Sequence, residues 1–125
     1  MSKHKLPVTP GKTITIGNLE IMTTDLGRMD WQKAMDACEA LGNGWRLPNK
    51  EELNMLYQNK DNIGGFANHP LSGYWSSTHH GVIVSTGDDD GRRWYQMLNN
   101  GDQFTLDVDS ENYVRAVRMA SPASL

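Results

Sequence analysis

Apolar residues in this 125-residue sequence alternate at every second position from 13 to 22 and again beyond residue 73, and recur at helical spacing only between residues 30 and 58. No other feature restricts the fold as much. A chain that runs strand, strand, helix, helix and then several strands in succession keeps its elements segregated. Segregation argues for an α+β domain on a mainly antiparallel sheet, not for a doubly wound parallel one.

The first alternating stretch, TITIGNLEIM, turns at Gly17-Asn18, so Thr13 to Ile16 and Leu19 to Met22 are expected to form a hairpin. Ile14, Ile16, Leu19 and Ile21 would line its core face. In DWQKAMDACEALG the period changes: Trp31, Ala34, Met35, Cys38 and Leu41 fall at helical spacing, with Asp30 at the N-cap and Gly42 just past the end. A second helix follows in PNKEELNMLYQNK, where Asn49 and Glu52 have capping-box spacing and Leu53, Leu56 and Tyr57 make a buried stripe.

Between the two helices, GWRLPNKEEL looks distinctive enough to mark a site. Physical chemistry accounts for it without one. Trp45 and Leu47 alternate into a core, and Arg46, on the other side, is placed to reach a carboxylate or backbone carbonyls. Pro48 stops one element where Asn49 starts the next, so the stretch reads as a folding device.

Gly, Asn, His and Pro fill residues 61–73, a long loop. YWSST is then a short strand, and HHGVIVSTGDDDG carries a small apolar run, Val82 to Val84, ending in an acidic turn. RRWYQML and QFTLDV form a hairpin through Asn99-Asn100-Gly101-Asp102, whose residues tolerate positive φ. NYVRAVRM reads as one last strand. Two prolines and a glycine among polar residues make 1–12 a flexible arm, leaving 13–120 as a single domain and 121–125 as a flexible tail.

Composition narrows the function classes. With 38% apolar residues, 22% charged and a net charge of -3, the chain has the profile of an ordinary globular domain. Its cations are scattered apart from Arg92-Arg93 and Lys3-His4-Lys5, so no nucleic-acid partner is expected. One cysteine, Cys38, rules out an intrachain disulfide. No apolar run approaches the roughly 20 residues that span a bilayer, and the N-terminus lacks a signal-peptide core. As written, the chain is expected in the cytoplasm without a membrane partner; as a fragment of a larger protein, it would belong at a cell surface or on a virion.

The blocks Trp31-x-x-Ala34-x-x-x-Cys38, GWRLPNKEEL, YWSST, WYQMLNNG and YVRAVR, in that order, resemble the Lcl C-terminal domain family of bacterial collagen-like adhesins. The resemblance runs over residues 15 to 119. It implies a C-type lectin-like fold: two helices packed on a twisted, mainly antiparallel sheet, N- and C-terminal strands side by side, and long loops that carry the ligand surface. Arg46-Leu47-Pro48 before an acidic helix is also similar to the formylglycine-generating enzymes of the same superfamily. Those enzymes use a pair of cysteines, and this sequence has one. The Glu-Pro-Asn or Gln-Pro-Asp loop and the Trp-Asn-Asp strand of calcium-dependent lectins are missing too, so no cofactor is expected.

Residues 79–95 hold the candidate ligand-binding groups: His79, His80, Asp88, Asp89, Asp90, Arg92, Arg93 and Tyr95. Clustered carboxylates suit Ca²⁺, but counting from Gly91 puts the first EF-hand position on Thr86 and the closing one on Met97, which favours a solvated acidic turn. His79 and His80 lack a sequence pattern that supplies further ligands or a triad. Alternation along the strand puts Trp94, Gln96 and Leu98 on the core face and leaves Arg93 and Tyr95 outward, where they could bind ligand without supporting the fold. The expected function is a non-catalytic, calcium-independent recognition module for a glycan or protein. The alternatives are a structural or receptor-binding part of a phage or surface assembly, for which a homo-oligomer would be natural, and an enzyme on the formylglycine-generating scaffold.

Overall fold

A computed structural model describes residues 11–68, 70 and 72–120. The expected arm up to residue 10 and the tail at 121–125 lie outside the described residues. The N-terminal hairpin forms as read, β1 (Thr13–Ile16) against β2 (Leu19–Met22), turning at Gly17 with φ 61°. β8 (Val117–Met119) pairs with β2 and gives a sheet of order β1-β2-β8, so the two ends of the domain lie together.

The larger sheet contains β3 (Gly27–Asp30), β4 (Gly73–His79), β5 (Arg92–Met97), β6 (Gln103–Asp107) and β7 (Glu111–Val114), in the order β3-β7-β4-β5-β6. Its neighbours are antiparallel except β4 and β7, which are parallel. Three helices accompany it: α1 (Trp31–Glu39), α2 (Lys50–Gln58) and a single turn, α3 (Lys60–Ile63), at the start of the long loop. Asp30 caps α1, accepting a hydrogen bond from the Lys33 amide, and Asn49 and Glu52 form the expected capping box on α2. No helix among the described residues is long and apolar enough to cross a membrane.

Besides the helical turn α3, two strands differ from the sequence reading. NYVRAVRM is not one strand: the chain leaves the large sheet at Val114 and enters the small one at Val117, with Arg115 at the crossing. β3, Gly-Arg-Met-Asp, has no strand-favouring composition; it is extended because it pairs along its whole length with β7.

The sheet separates two cores. Tyr74 and Trp75 are neighbours in β4, both fully buried, and they point to opposite faces. Trp75 packs with Trp31, Ala34, Cys38, Trp45, Leu47 and Val114 under α1. Tyr74 packs with Leu19, Ile21, Leu53, Leu56, Leu98 and Val117 under α2. GWRLPNKEEL joins the two. Trp45 and Leu47 are buried in the first core and Leu53 in the second, while Arg46 makes a two-point contact with Glu52 at 2.7 and 2.9 Å. Glu52 also accepts from the Asn49 amide at 2.9 Å, so one carboxylate closes the cap and holds the arginine.

Arg115 is buried and contacts four distant parts of the chain. Its Nε donates to Asp25 Oδ1 at 2.9 Å, its Nη1 donates to the carbonyls of Met22 and Gly64, and its guanidinium lies 3.9 Å over the ring of Phe66. Asp25 Oδ2 accepts from the Tyr74 hydroxyl at 2.6 Å, and that hydroxyl accepts from the Ala67 amide. Gly65 sits in this loop with φ 76° and its backbone against Thr23, where a Cβ would lie 2.1 Å from the Thr23 carbonyl oxygen.

At the open edge of the large sheet, the bonds Val108 N–H to Gly91 O and Met97 N–H to Asp102 O set the β5–β6 register so that Thr105 turns its carbonyl outward. Arg92 reaches round to it, donating from Nη2 to that oxygen at 2.8 Å and from Nε to Thr105 Oγ1 at 2.9 Å.

Two outcomes follow for the linking stretch. Trp45→Ala removes a large side chain that is 4% exposed and should cost ~3–5 kcal/mol in chemical denaturation. Arg46, before the opposing effect of burial, holds the Glu52 carboxyl below its ordinary 4.5. A depressed folded pKa gives stability that is present above the unfolded value and lost as the pH falls through the folded one. Glu52→Gln should therefore be less stable than the parent at neutral pH and show a flatter acid limb below pH 4.5. Parallel curves across that range would mean the pair does not contribute.

Candidate functional site

β4 ends at His79 and β5 begins at Arg92; the residues between them fold into a narrow finger. Its sides are zipped by His80 N–H to Arg92 O at 3.1 Å, Asp90 N–H to Gly81 O at 3.1 Å and Ile83 N–H to Asp88 O at 2.7 Å. The tip closes with Gly87 N–H to Ile83 O at 2.7 Å, and Gly87 and Gly91 take the positive φ values, 75° and 73°, that the bend and the return to the sheet require. Asp89 accepts from the Gly91 amide at 2.9 Å and Asp90 from the Arg92 amide at 3.0 Å.

Two charged clusters hold the base of the finger. On the α1 side, Arg93 donates to both oxygens of Asp89, at 3.0 and 2.7 Å, and its guanidinium lies 4.3 Å over the ring of Trp31. His79 completes this cluster, 3.5 Å from Asp89 and edge-on to Trp31. Arg93 and the Gly91 amide push the Asp89 carboxyl down to about 2. On the α2 side, His80 Nδ1 lies 2.7 Å from Asp90 Oδ2 and its ring packs on Trp94, while Lys50 Nζ lies 3.7 Å over that indole. His80 is the main cause holding the Asp90 carboxyl below its usual range.

This geometry corrects the outward assignment. Arg93 is 5% exposed, Tyr95 is half-buried between Trp75 and Phe104, and Gln96 is fully buried. Strand alternation identifies an outer face only when one face of a sheet meets water, and β5 is covered on both. Arg92 is occupied at the sheet edge with Thr105 and, at 3.4 Å, Asp107. Of the eight sequence candidates, the structure joins His79, Asp89 and Arg93 in one cluster and His80 and Asp90 in another; Asp88 stands exposed on the finger, and Arg92 and Tyr95 lie apart.

The sequence reading left out three features of the site. Trp31 and Lys50 come from the starts of the two helices and meet the finger only in three dimensions. The third is the tip: Val82, Ile83 and Val84 are 60%, 45% and 97% exposed. Its signal was present in the sequence as an apolar run between Gly81 and Gly87. Cys38, by contrast, is fully buried in the first core, and burial pushes its thiol up to about 12, so it is not available as a thiolate.

A family model described as the Lcl C-terminal domain matches residues 11–118. The chain belongs to the Lcl C-terminal domain family. This Lcl C-terminal domain is also similar to the crystal structure of botrocetin, with a TM-score of 0.62 and 11% identity over 90% of this chain and 100% of that one. A botrocetin complex with a mutant von Willebrand factor A1 domain matches over the same shares, with a TM-score of 0.56 and 12% identity. Identities this low establish a shared fold, and the fold is C-type lectin-like. No curated protein matches the chain in sequence.

Because Arg93 supports the Lcl C-terminal domain from inside, Arg93→Ala should cost about 1–3 kcal/mol of stability and loosen the finger. The check is a denaturation curve together with amide exchange at Asp89 and Asp90. An unchanged midpoint with unchanged exchange would return Arg93 to the surface role that alternation suggested.

Proposed function

We propose that this Lcl C-terminal domain is a non-catalytic recognition module that binds a protein ligand through the surface of residues 79–95, without calcium. The observation that carries this reading is the finger: a projecting, internally hydrogen-bonded element anchored to the sheet by two charged clusters. It is a convex surface. Two clefts lie elsewhere, one of about 350 Å³ beside Lys60, Phe66 and Leu98 and one of about 360 Å³ beside Ile16, Leu19 and Met55.

The groups that could do chemistry here serve as scaffold. Asp89 is bound to Arg93 and Asp90 to His80, and Cys38 is held as a buried thiol. The same pairing speaks against calcium, which takes six to eight oxygen ligands. Among the described residues, no group of three or more His, Cys, Asp or Glu is placed to hold a metal ion. A protein ligand fits better than a glycan because the indole faces nearest the finger, on which a sugar ring could stack, already carry Arg93 on Trp31 and Lys50 on Trp94. Botrocetin, which shares the fold, has a solved structure in complex with a mutant von Willebrand factor A1 domain, a protein.

The test is a glycan array probed with calcium and again with chelator, alongside thermal melts in both conditions. The expected result is no saturable glycan signal and the same melting midpoint with and without calcium. Saturable glycan binding would replace the protein-ligand reading, and a midpoint that falls on chelation would make the acidic turn a metal site.

A further inference from the structure

We propose that the tip Val82-Ile83-Val84 is a preformed anchor for a folded protein partner that offers an apolar pocket rimmed by lysine or arginine side chains. This rests on the reading of the 79–95 surface given above and names the chemistry of its ligand. Three adjacent β-branched residues stand 60%, 45% and 97% exposed, while the other exposed large hydrophobics among the described residues, Phe104 and Met119, are isolated on separate strands. Their exposure does not come from looseness. The tip is closed by hydrogen bonds from Ile83, Thr86 and Gly87, and Thr86 Oγ1 accepts from the Asp88 amide at 3.2 Å. A pre-ordered apolar anchor avoids most of the ordering entropy that weakens loop-mediated binding.

Charge selects the partner. Asp88 is exposed beside the tip, and Asp109 is exposed on the turn that Val108 N–H ties to Gly91 O at the finger's base. The cations at this end are engaged: Arg93 with Asp89, Arg92 with Thr105 and Asp107, Lys50 with Trp94. An acidic collar is repelled by anionic lipid, and a tip without Trp, Tyr, Lys or Arg lacks the side chains that hold protein at a bilayer interface. A second copy of the chain is a poor occupant as well. The cleft at Ile16, Leu19 and Met55 is edged by Glu51 and Glu52, and the one at Met35 and Trp45 by Asp36 and Glu39, with its Arg46 bound to Glu52. The cleft at Phe66 and Leu98 has one cation, Lys60, which donates to the Leu98 carbonyl and stands next to Asp61, so none of the three offers a free basic rim to an acidic finger. Three side chains are too few for a whole interface, so they are its central anchor, with the charged collar as the rim.

The experiment probes an array of purified folded proteins, acidic to basic, with the labelled chain, Val84→Asp and Asp88→Lys. Vesicles of zwitterionic and of anionic lipid are probed in parallel. Val84 is almost wholly exposed, so Val84→Asp should melt with the parent. Proteins bound by the parent should lose about tenfold or more in affinity to Val84→Asp, bind Asp88→Lys more weakly, and be released by added salt. Binding that survives Val84→Asp but is lost on His80→Ala overturns the anchor and keeps the 79–95 surface. Binding indifferent to all three substitutions, or no bound protein at all, overturns both. Vesicle binding that Val84→Asp abolishes makes the tip a lipid anchor, and parent sedimentation that shifts to the monomer on Val84→Asp makes it a self-association element; either result overturns the proposal.

Discussion

The pair Asp25–Arg115 is the contact on which the arrangement of the rest depends. Arg115 stands where the chain passes from the large sheet to the small one, and Asp25 lies in the reverse connection, between β2 and β3. Their bond therefore fixes how the two sheets meet. Through the Gly64 carbonyl, the Phe66 ring and the Tyr74 hydroxyl, the same pair holds the long loop and sets β4 in place. Burial, and then Asp25, raise the pKa of Tyr74, so its proton stays on the hydroxyl and donates to the carboxylate. A guanidinium buried this deeply is stable only with its partners present, and a lysine could not reproduce its fork of contacts.

β4, once set, carries His79 and His80 to the finger's base, and β5 returns with Arg93 and Trp94. Groups that resemble catalytic machinery in the sequence are thereby converted into supports. An aspartate bound to a guanidinium on one side and another bound to an imidazole on the other pin the base of the finger to the sheet. The physical result is a domain whose polar residues provide rigidity and whose apolar residues, at the finger's tip, face water.

Much of the fold could be read in the sequence because it is encoded locally. The Gly17 turn, the Asp30 cap, the Asn49–Glu52 box and the Asn99-Asn100-Gly101-Asp102 hairpin each depend on residues within a few positions of one another. β3 was not legible because pairing with β7, some 80 residues away, makes it a strand. The break between β7 and β8 was hidden for a related reason: alternation continues unbroken through Arg115 while the sheet beneath it changes. In the candidate site, clustering in the sequence is what singles out His79, His80 and Asp88 to Asp90. Arg93 was placed on the wrong side because its partner Trp31 lies on a helix 62 positions earlier, a separation given by 93 − 31. The Val82 to Val84 run was visible as an apolar segment, and only the closed geometry of the finger shows that it has no core to enter.

Arg92 has an effect beyond its own strand. A sheet that ends in an open strand invites another chain to add to it. By occupying the outward carbonyl of Thr105, the Arg92 guanidinium denies an incoming strand one of the acceptors it would need and sets a positive charge in its path. The domain can thus keep an exposed hydrophobic tip while the β6 edge of its sheet resists polymerising into fibres.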